Sequence, residues 1–153
     1  LNGILTGQLL NPGTFTISGS ASGYTLPATQ FNVYGALSLT SGSSPLVFGG
    51  SAPVGVPGTQ SVTVTQLPTG TNISATVTCI GGARATVPPG NGPSPFTFHV
   101  TANAAPATPQ SGPACTVAVN GSGDGPLNSI SIPVDITSSS IGISTNRRRP
   151  LAR

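Results

Sequence analysis

Asp124, Asp135, His99, Cys79, Cys115, Tyr24, Tyr34 and five arginines are the whole stock of side chains that could move a proton, attack an electrophile or hold a metal ion. General acid-base and nucleophilic catalysis need such groups held close together. A chain of 153 residues with no Lys, Glu, Met or Trp, two Asp and one His has little to assemble such a centre from. It is expected not to be an enzyme, and no catalytic residue is assigned. Two cysteines and a single histidine leave a zinc site one ligand short. The loop Asn120–Gly125 alternates oxygen-bearing side chains as the first half of an EF-hand loop does, but its twelfth position is Ser131, where a bidentate Glu belongs. It reads as a glycine-rich turn, and neither metal nor cofactor is expected.

Cys79 and Cys115 remain as the pair with chemistry of its own. Each falls on the inward side of a strand-like run, in phase with Val77 and Val117 respectively. One reading is a disulfide between neighbouring strands, which for the loop it closes would constrain the unfolded chain by about 4 kcal/mol. The other is two buried thiols. An even cysteine count in a composition of this kind is what an oxidising compartment produces. His99 lies on the polar side of Phe96–Val100 and reads as a solvent-facing or interface residue.

The elements that carry these residues alternate with a period of two. Phe15 and Ile17 share a face, as do Phe31, Val33, Leu37 and Leu39, then Val62 and Val64, and Ile73, Ala75, Val77 and Cys79. Phe96, Phe98 and Val100, then Cys115, Val117 and Val119, and lastly Ile130, Ile132, Val134 and Ile136 continue the series. Breakers such as Asn11-Pro12-Gly13, Pro68-Thr69-Gly70 and Pro88–Pro93 separate the runs, and no stretch keeps helical spacing without Gly or Pro. Eight or nine half-buried strands joined by tight turns predict an antiparallel β-sandwich or barrel. Pro133 lacks the N–H that a central ladder needs, so its strand is expected at an edge or paired on one side there. An apolar edge strand near a chain end invites pairing with another copy.

Composition supports a packed chain. Hydrophobic residues make up 36% and charged residues 5% of the sequence, the reverse of a disordered segment. The formal charge of +3 comes almost wholly from Arg147, Arg148, Arg149 and Arg153, a basic tail over 146–153 whose plain reading is a solvated end and whose sharper one is an electrostatic contact. With only Arg84 in the body, nucleic acid is not an expected partner. Leu1–Leu10 lacks a basic stretch ahead of a long apolar core, so the chain reads as a mature or trimmed form. No apolar run reaches the ~20 residues of a membrane span. Asn72-Ile73-Ser74 and Asn120-Gly121-Ser122 fit the glycosylation acceptor pattern, marking Asn72 and Asn120 as possible sites.

The segment Gln60–Val77, with its strand, Leu67-Pro68-Thr69-Gly70-Thr71 corner and second strand, resembles fibronectin type III-like and other immunoglobulin-like modules of bacterial and archaeal surface proteins. The resemblance implies an immunoglobulin-like β-sandwich in which Leu67 plugs the sandwich end and Gly70 permits the reversal. Where the fibronectin pattern places a corner Tyr, this chain has Ile73. Such a module would end near Val100, leaving extra terminal strands. Low charge, a Thr- and Ser-rich surface and apolar ends resemble the subunits of extracellular pili and threads, in which one subunit's extended end completes the next one's sheet. The implied organisation is an extended donor segment over 1–12, a sandwich over 13–145 and the tail. Ile4, Leu5, Leu9 and Leu10 are the first donor candidates, and Ile130, Ile132, Val134 and Ile136 the second. The expectation is a secreted homopolymer subunit at the cell surface or in a filament. The alternatives are a carbohydrate- or host-binding adhesin domain, with a glycan contact, and a viral capsid or decoration protein.

Overall fold

Val62 and Val64 point one way from their strand while Thr63 and Thr65 point the other, and the same alternation recurs wherever the chain crosses a common core. The structure is a computed structural model, and it describes residues 11–49, 58–106, 111–123 and 126–137. Within these, β1 (Gly13–Ala21) and β2 (Tyr24–Val33) form a hairpin that is a sheet of its own. Strands β3 (Ser38–Ser41), β5 (Gly58–Thr65), β9 (Phe96–Ala104) and β7 (Arg84–Thr86) form a sheet in the order β3-β5-β9-β7. The second sheet of the sandwich runs β4-β11-β10-β6-β8, from β4 (Leu46–Phe48), β11 (Ser129–Ile136), β10 (Cys115–Asn120), β6 (Asn72–Cys79) and β8 (Asn91–Pro93). A short 3-10 turn, Pro126–Asn128, leads into β11. The fold is thus an all-β sandwich carrying a separate hairpin, and every pairing is antiparallel except β4 with β11.

The two sheets of the sandwich bury one continuous core. Val62, Val64, Phe98 and Val100 from the first sheet and Leu46, Ile73, Val117, Val119 and Val134 from the second are fully buried. Each such side chain contributes roughly 1.5–3 kcal/mol by leaving water. Phe96 and Phe98, whose rings are 5.5 Å apart, lie in the same core. Cys79 and Cys115 are directly opposite in the β6–β10 ladder, with Cα atoms 4.0 Å apart, and are joined by a disulfide. The bond therefore lies within one sheet and does not cross the sandwich.

Three expectations are corrected. The β11 strand is flanked by β10 on one side and by β4 on the other, so it is not an edge strand. The other expectation for Pro133, pairing on one side only, holds: it pairs with Thr116 alone, and the ladder to β4 begins one residue later at Val134, which is how the missing N–H is tolerated. Ile132, Val134 and Ile136 consequently fill this chain's own core, and Ile130 packs against it. The predicted run 31–39 is two strands, because Tyr34–Leu37 leaves the hairpin and enters the sandwich. Finally, Leu67 is 50% exposed and does not plug the sandwich end.

Its neighbour Gln66 does. The side chain is 1% exposed, and its Nε2 lies 2.9 Å from each of three acceptors: the Gly35 and Ser122 carbonyl oxygens and Asn128 Oδ1. Its Oε1 accepts the Ser122 backbone N–H at 2.9 Å. The Gln66 N–H donates to Ser94 Oγ, which in turn donates to the Gln66 carbonyl, at 2.8 and 2.7 Å. One amide thus joins the hairpin base, the β5–β6 corner, the loop after β10 and the 3-10 turn. Gly121 is required beside it, because a methyl group there would sit 2.2 Å from Oε1.

Replacing both Cys79 and Cys115 by Ala should lower the unfolding free energy by about 4 kcal/mol, read from denaturant melts, and reductant should then have no further effect. Gln66→Leu, which keeps the volume but orphans the Ser122 N–H and the Gly35 carbonyl, should cost about 3 kcal/mol. Gly121→Ala should destabilise by pushing the same amide aside.

Candidate self-association site

The hairpin projects from the sandwich end, and its sequence explains both its pairing and its exposure. Hydroxyl residues Thr14, Thr16, Ser18 and Ser20 alternate with Gly13, Phe15, Ile17 and Gly19 along β1. Phe15 lies opposite Phe31 with the rings stacked 5.7 Å apart, Gly13 opposite Val33 and Ile17 opposite Thr29. Between Ile17 and Gly19 the register shifts: two steps on β1 match three on β2, from Thr29 to Leu26, so the extra residue falls where Pro27 sits. The bulge keeps Leu26 on the same side as Phe15, lying over Gly19, whose added Cβ would be 3.2 Å from Leu26 Cδ1.

One face of the ribbon therefore carries Phe15, Ile17, Leu26, Phe31 and Val33, with Tyr24 at the tip. Ile17 is 42%, Leu26 66% and Tyr24 80% exposed among the described residues. A two-stranded ribbon is by itself marginal in water. This one is anchored at its base, where the Gly35 N–H donates to the Leu67 carbonyl and the Leu37 N–H to the Leu127 carbonyl, both at 2.9 Å.

Both hairpin strands are also sheet edges. Among the described residues, the strands that end the two sheets of the sandwich have three or four residues each, whereas β1 and β2 have nine and ten and each pairs on one side only. Short terminal strands are a standard defence against unwanted pairing, and long apolar ones are a template for it.

The residues singled out by sequence are distributed as follows. Cys79 and Cys115 come together in the disulfide. Ile4, Leu5, Leu9 and Leu10, and the tail Arg147, Arg148, Arg149 and Arg153, lie outside the described residues. Asn72 and Asn120 are both exposed and lie at one end of the β6–β10 pair. Their triplets interlock, since Ser122 Oγ donates to the Asn72 carbonyl at 3.2 Å and Ser74 Oγ to the Asn120 carbonyl at 3.5 Å. His99 is on the outer face of β9, 2.9 Å from Ser61 Oγ through Nδ1. On either side of it Thr59 bonds Thr101 and Thr63 bonds Thr97, each pair at 2.9 Å, so a ladder of paired hydroxyls covers that sheet.

Sequence reasoning missed the first half of β2. Thr25-Leu26-Pro27-Ala28-Thr29-Gln30 breaks the period of two, and the Pro reads as a loop signal. It also missed Gln66, whose only mark was a polar residue ending the alternation of Val62 and Val64.

No family model matches the chain, and no curated protein matches it. Among solved structures, it is similar to domains 4 and 5 of the S-layer protein SbsC, known from a crystal structure, at 17% identity and a TM-score of 0.41 over 83% of this chain. The chain spans 66% of the length of that structure. Among the described residues, no helix is long and apolar enough to cross a membrane.

Leu26→Ser should change the unfolding free energy by no more than about 0.5 kcal/mol, since its side chain is exposed. Phe98→Ala in the core should cost about 3–5 kcal/mol. Parallel urea melts of the two variants check the contrast.

Proposed function

We propose that this chain is a structural subunit of an extracellular surface assembly, polymerising as one copy adds a β-strand to the sheet of the next, and that it is not an enzyme. The observation that carries the reading is the hairpin β1–β2: two long strands, each free on one side among the described residues, with the apolar side chains Ile17, Leu26 and Tyr24 exposed toward its tip. An added strand supplies a row of main-chain hydrogen bonds, and the apolar face receives its alternate side chains. Leu1–Leu10 is the donor we assign, since Leu1, Leu5 and Leu9 alternate with Gly3 and Gly7 and so place large side chains at every fourth residue of one strand face. The C-terminal donor is set aside because β11 is built into its own sheet.

Two further features support this reading. A disulfide between adjacent strands suits an oxidising, extracellular setting. The scarcity of charge, 5% of residues, leaves little electrostatic repulsion between copies. We read the sandwich as immunoglobulin-like, because β3-β5-β9-β7 follows the A-B-E-D order of such domains and β6-β10-β11 the C-F-G order.

Deleting residues 1–10 should leave a chain that melts as before but sediments as a monomer. Ile17→Lys combined with Leu26→Lys, which puts charge on the receiving face, should do the same. Sedimentation velocity and negative-stain microscopy read both. Polymers that persist unchanged in the deletion and in the hairpin variant would refute strand complementation.

A further inference from the structure

We propose that the cleft between the hairpin base and the Pro68–Asn72 corner is a binding site for a neutral saccharide. The cleft has a volume of about 310 Å³, within the range of small-molecule sites. Thr14, Asn32 and Tyr34 line it from the hairpin, and Thr69, Asn72 and Ser122 from the sandwich. Hydroxyl and amide groups thus converge on one space with no ionised side chain among the described residues that line it. Nothing there would offset the desolvation of a charged ligand, whereas a polyol finds donors and acceptors on both walls.

The site is organised in advance. Thr14 Oγ1 donates to Asn32 Oδ1 at 2.8 Å, and Asn32 Nδ2 donates to the Tyr34 hydroxyl at 3.5 Å. That leaves the Tyr34 proton and the second Asn32 N–H for a ligand. The Tyr34 ring is seated against Gly123, where an added Cβ would lie 2.8 Å from Cδ2, so its position is fixed by contact with the loop that Gln66 holds. On the opposite wall, Thr71 Oγ1 is tied to the Pro68 carbonyl and Ser122 Oγ to the Asn72 carbonyl. Gly70, at φ +83°, leaves open space above the corner backbone, with no atom within 4 Å of where its Cβ would be. A tyrosine hydroxyl, a fixed amide and several hydroxyls around a neutral space suit a polyol ligand.

The sugar is either free or one carried on Asn72, whose acceptor triplet lies at the cleft. Full-length chain from a host without N-glycosylation is applied to a glycan array, and the hits are titrated by NMR. Saturable binding of a neutral saccharide is expected, weakened at least tenfold in Asn32→Ala and in Tyr34→Phe, and unchanged in Ser131→Ala. Tyr34→Phe removes only a hydroxyl, so it separates ligand contact from folding. The same titration on chain from a glycosylating host distinguishes the sources. Equal binding in both preparations indicates a free ligand, and binding lost there but restored by Asn72→Gln indicates a sugar on Asn72. Absence of any neutral saccharide binding in the unglycosylated chain, or binding indifferent to both cleft variants, would overturn the assignment.

Discussion

The Gln66 amide is the constraint on which the placement of everything outside the core depends. Hydrophobic burial holds the two sheets of the sandwich together but is non-directional, and it does not say where a hairpin at the sandwich end should stand. A buried amide does, because each of its polar atoms must find a partner at a defined angle and distance or lose several hydrogen bonds' worth of solvation. Here those partners come from segments far apart in sequence: Gly35, Ser122 and Asn128. The β6–β10 pair is consequently pinned at both ends, by the Cys79–Cys115 bond at one and by the Gln66 contact to Ser122 at the other.

That anchoring leaves the two sides of the hairpin unequally covered. Its hydroxyl-bearing side, with Thr14, Thr16 and Asn32, is exposed, while Phe15, Phe31 and Val33 on the other side are half-buried and only Ile17, Leu26 and Tyr24, toward the tip, stand open to solvent. The bonds at Gly35 and Leu37 hold the base, so the apolar surface left uncovered lies at the far end of the ribbon.

The period-two alternation made the core legible. Val62, Val64, Ile73, Phe98, Val117 and Val119 each share a strand face by spacing, and all are buried; Ile132 and Val134 share a face in the same way but are expected to meet another copy and instead fill this chain's core. So was the cysteine pairing, because Val77 and Val117 set the phase of each strand and face each other in the ladder. Three things were not legible, each for a physical reason. The β4 strand is three residues long between glycine- and serine-rich segments, too short for a period to emerge, and without it β11 reads as an edge. The bulge at Pro27 changes the phase of β2, which hides the second strand of the hairpin. Gln66 is a polar residue whose burial is set by loops distant in sequence, and no local pattern encodes such contacts.

That lack of charge is reconciled with a folded surface by the hydroxyl ladder of β5 and β9. Three successive outward positions there are bonded to their partners on the next strand, Thr59 to Thr101, Ser61 to His99 and Thr63 to Thr97. Such a surface satisfies much of its own hydrogen bonding. Bringing a second neutral surface against it removes no ion from water, which is the costly step when charged faces meet. What distinguishes one contact from another on such a chain is then backbone pairing and shape. Both are concentrated at the hairpin, where free ladder edges and exposed apolar side chains coincide. A chain nearly without charge can thus still be selective about where it is touched, provided that its other sheet margins are short.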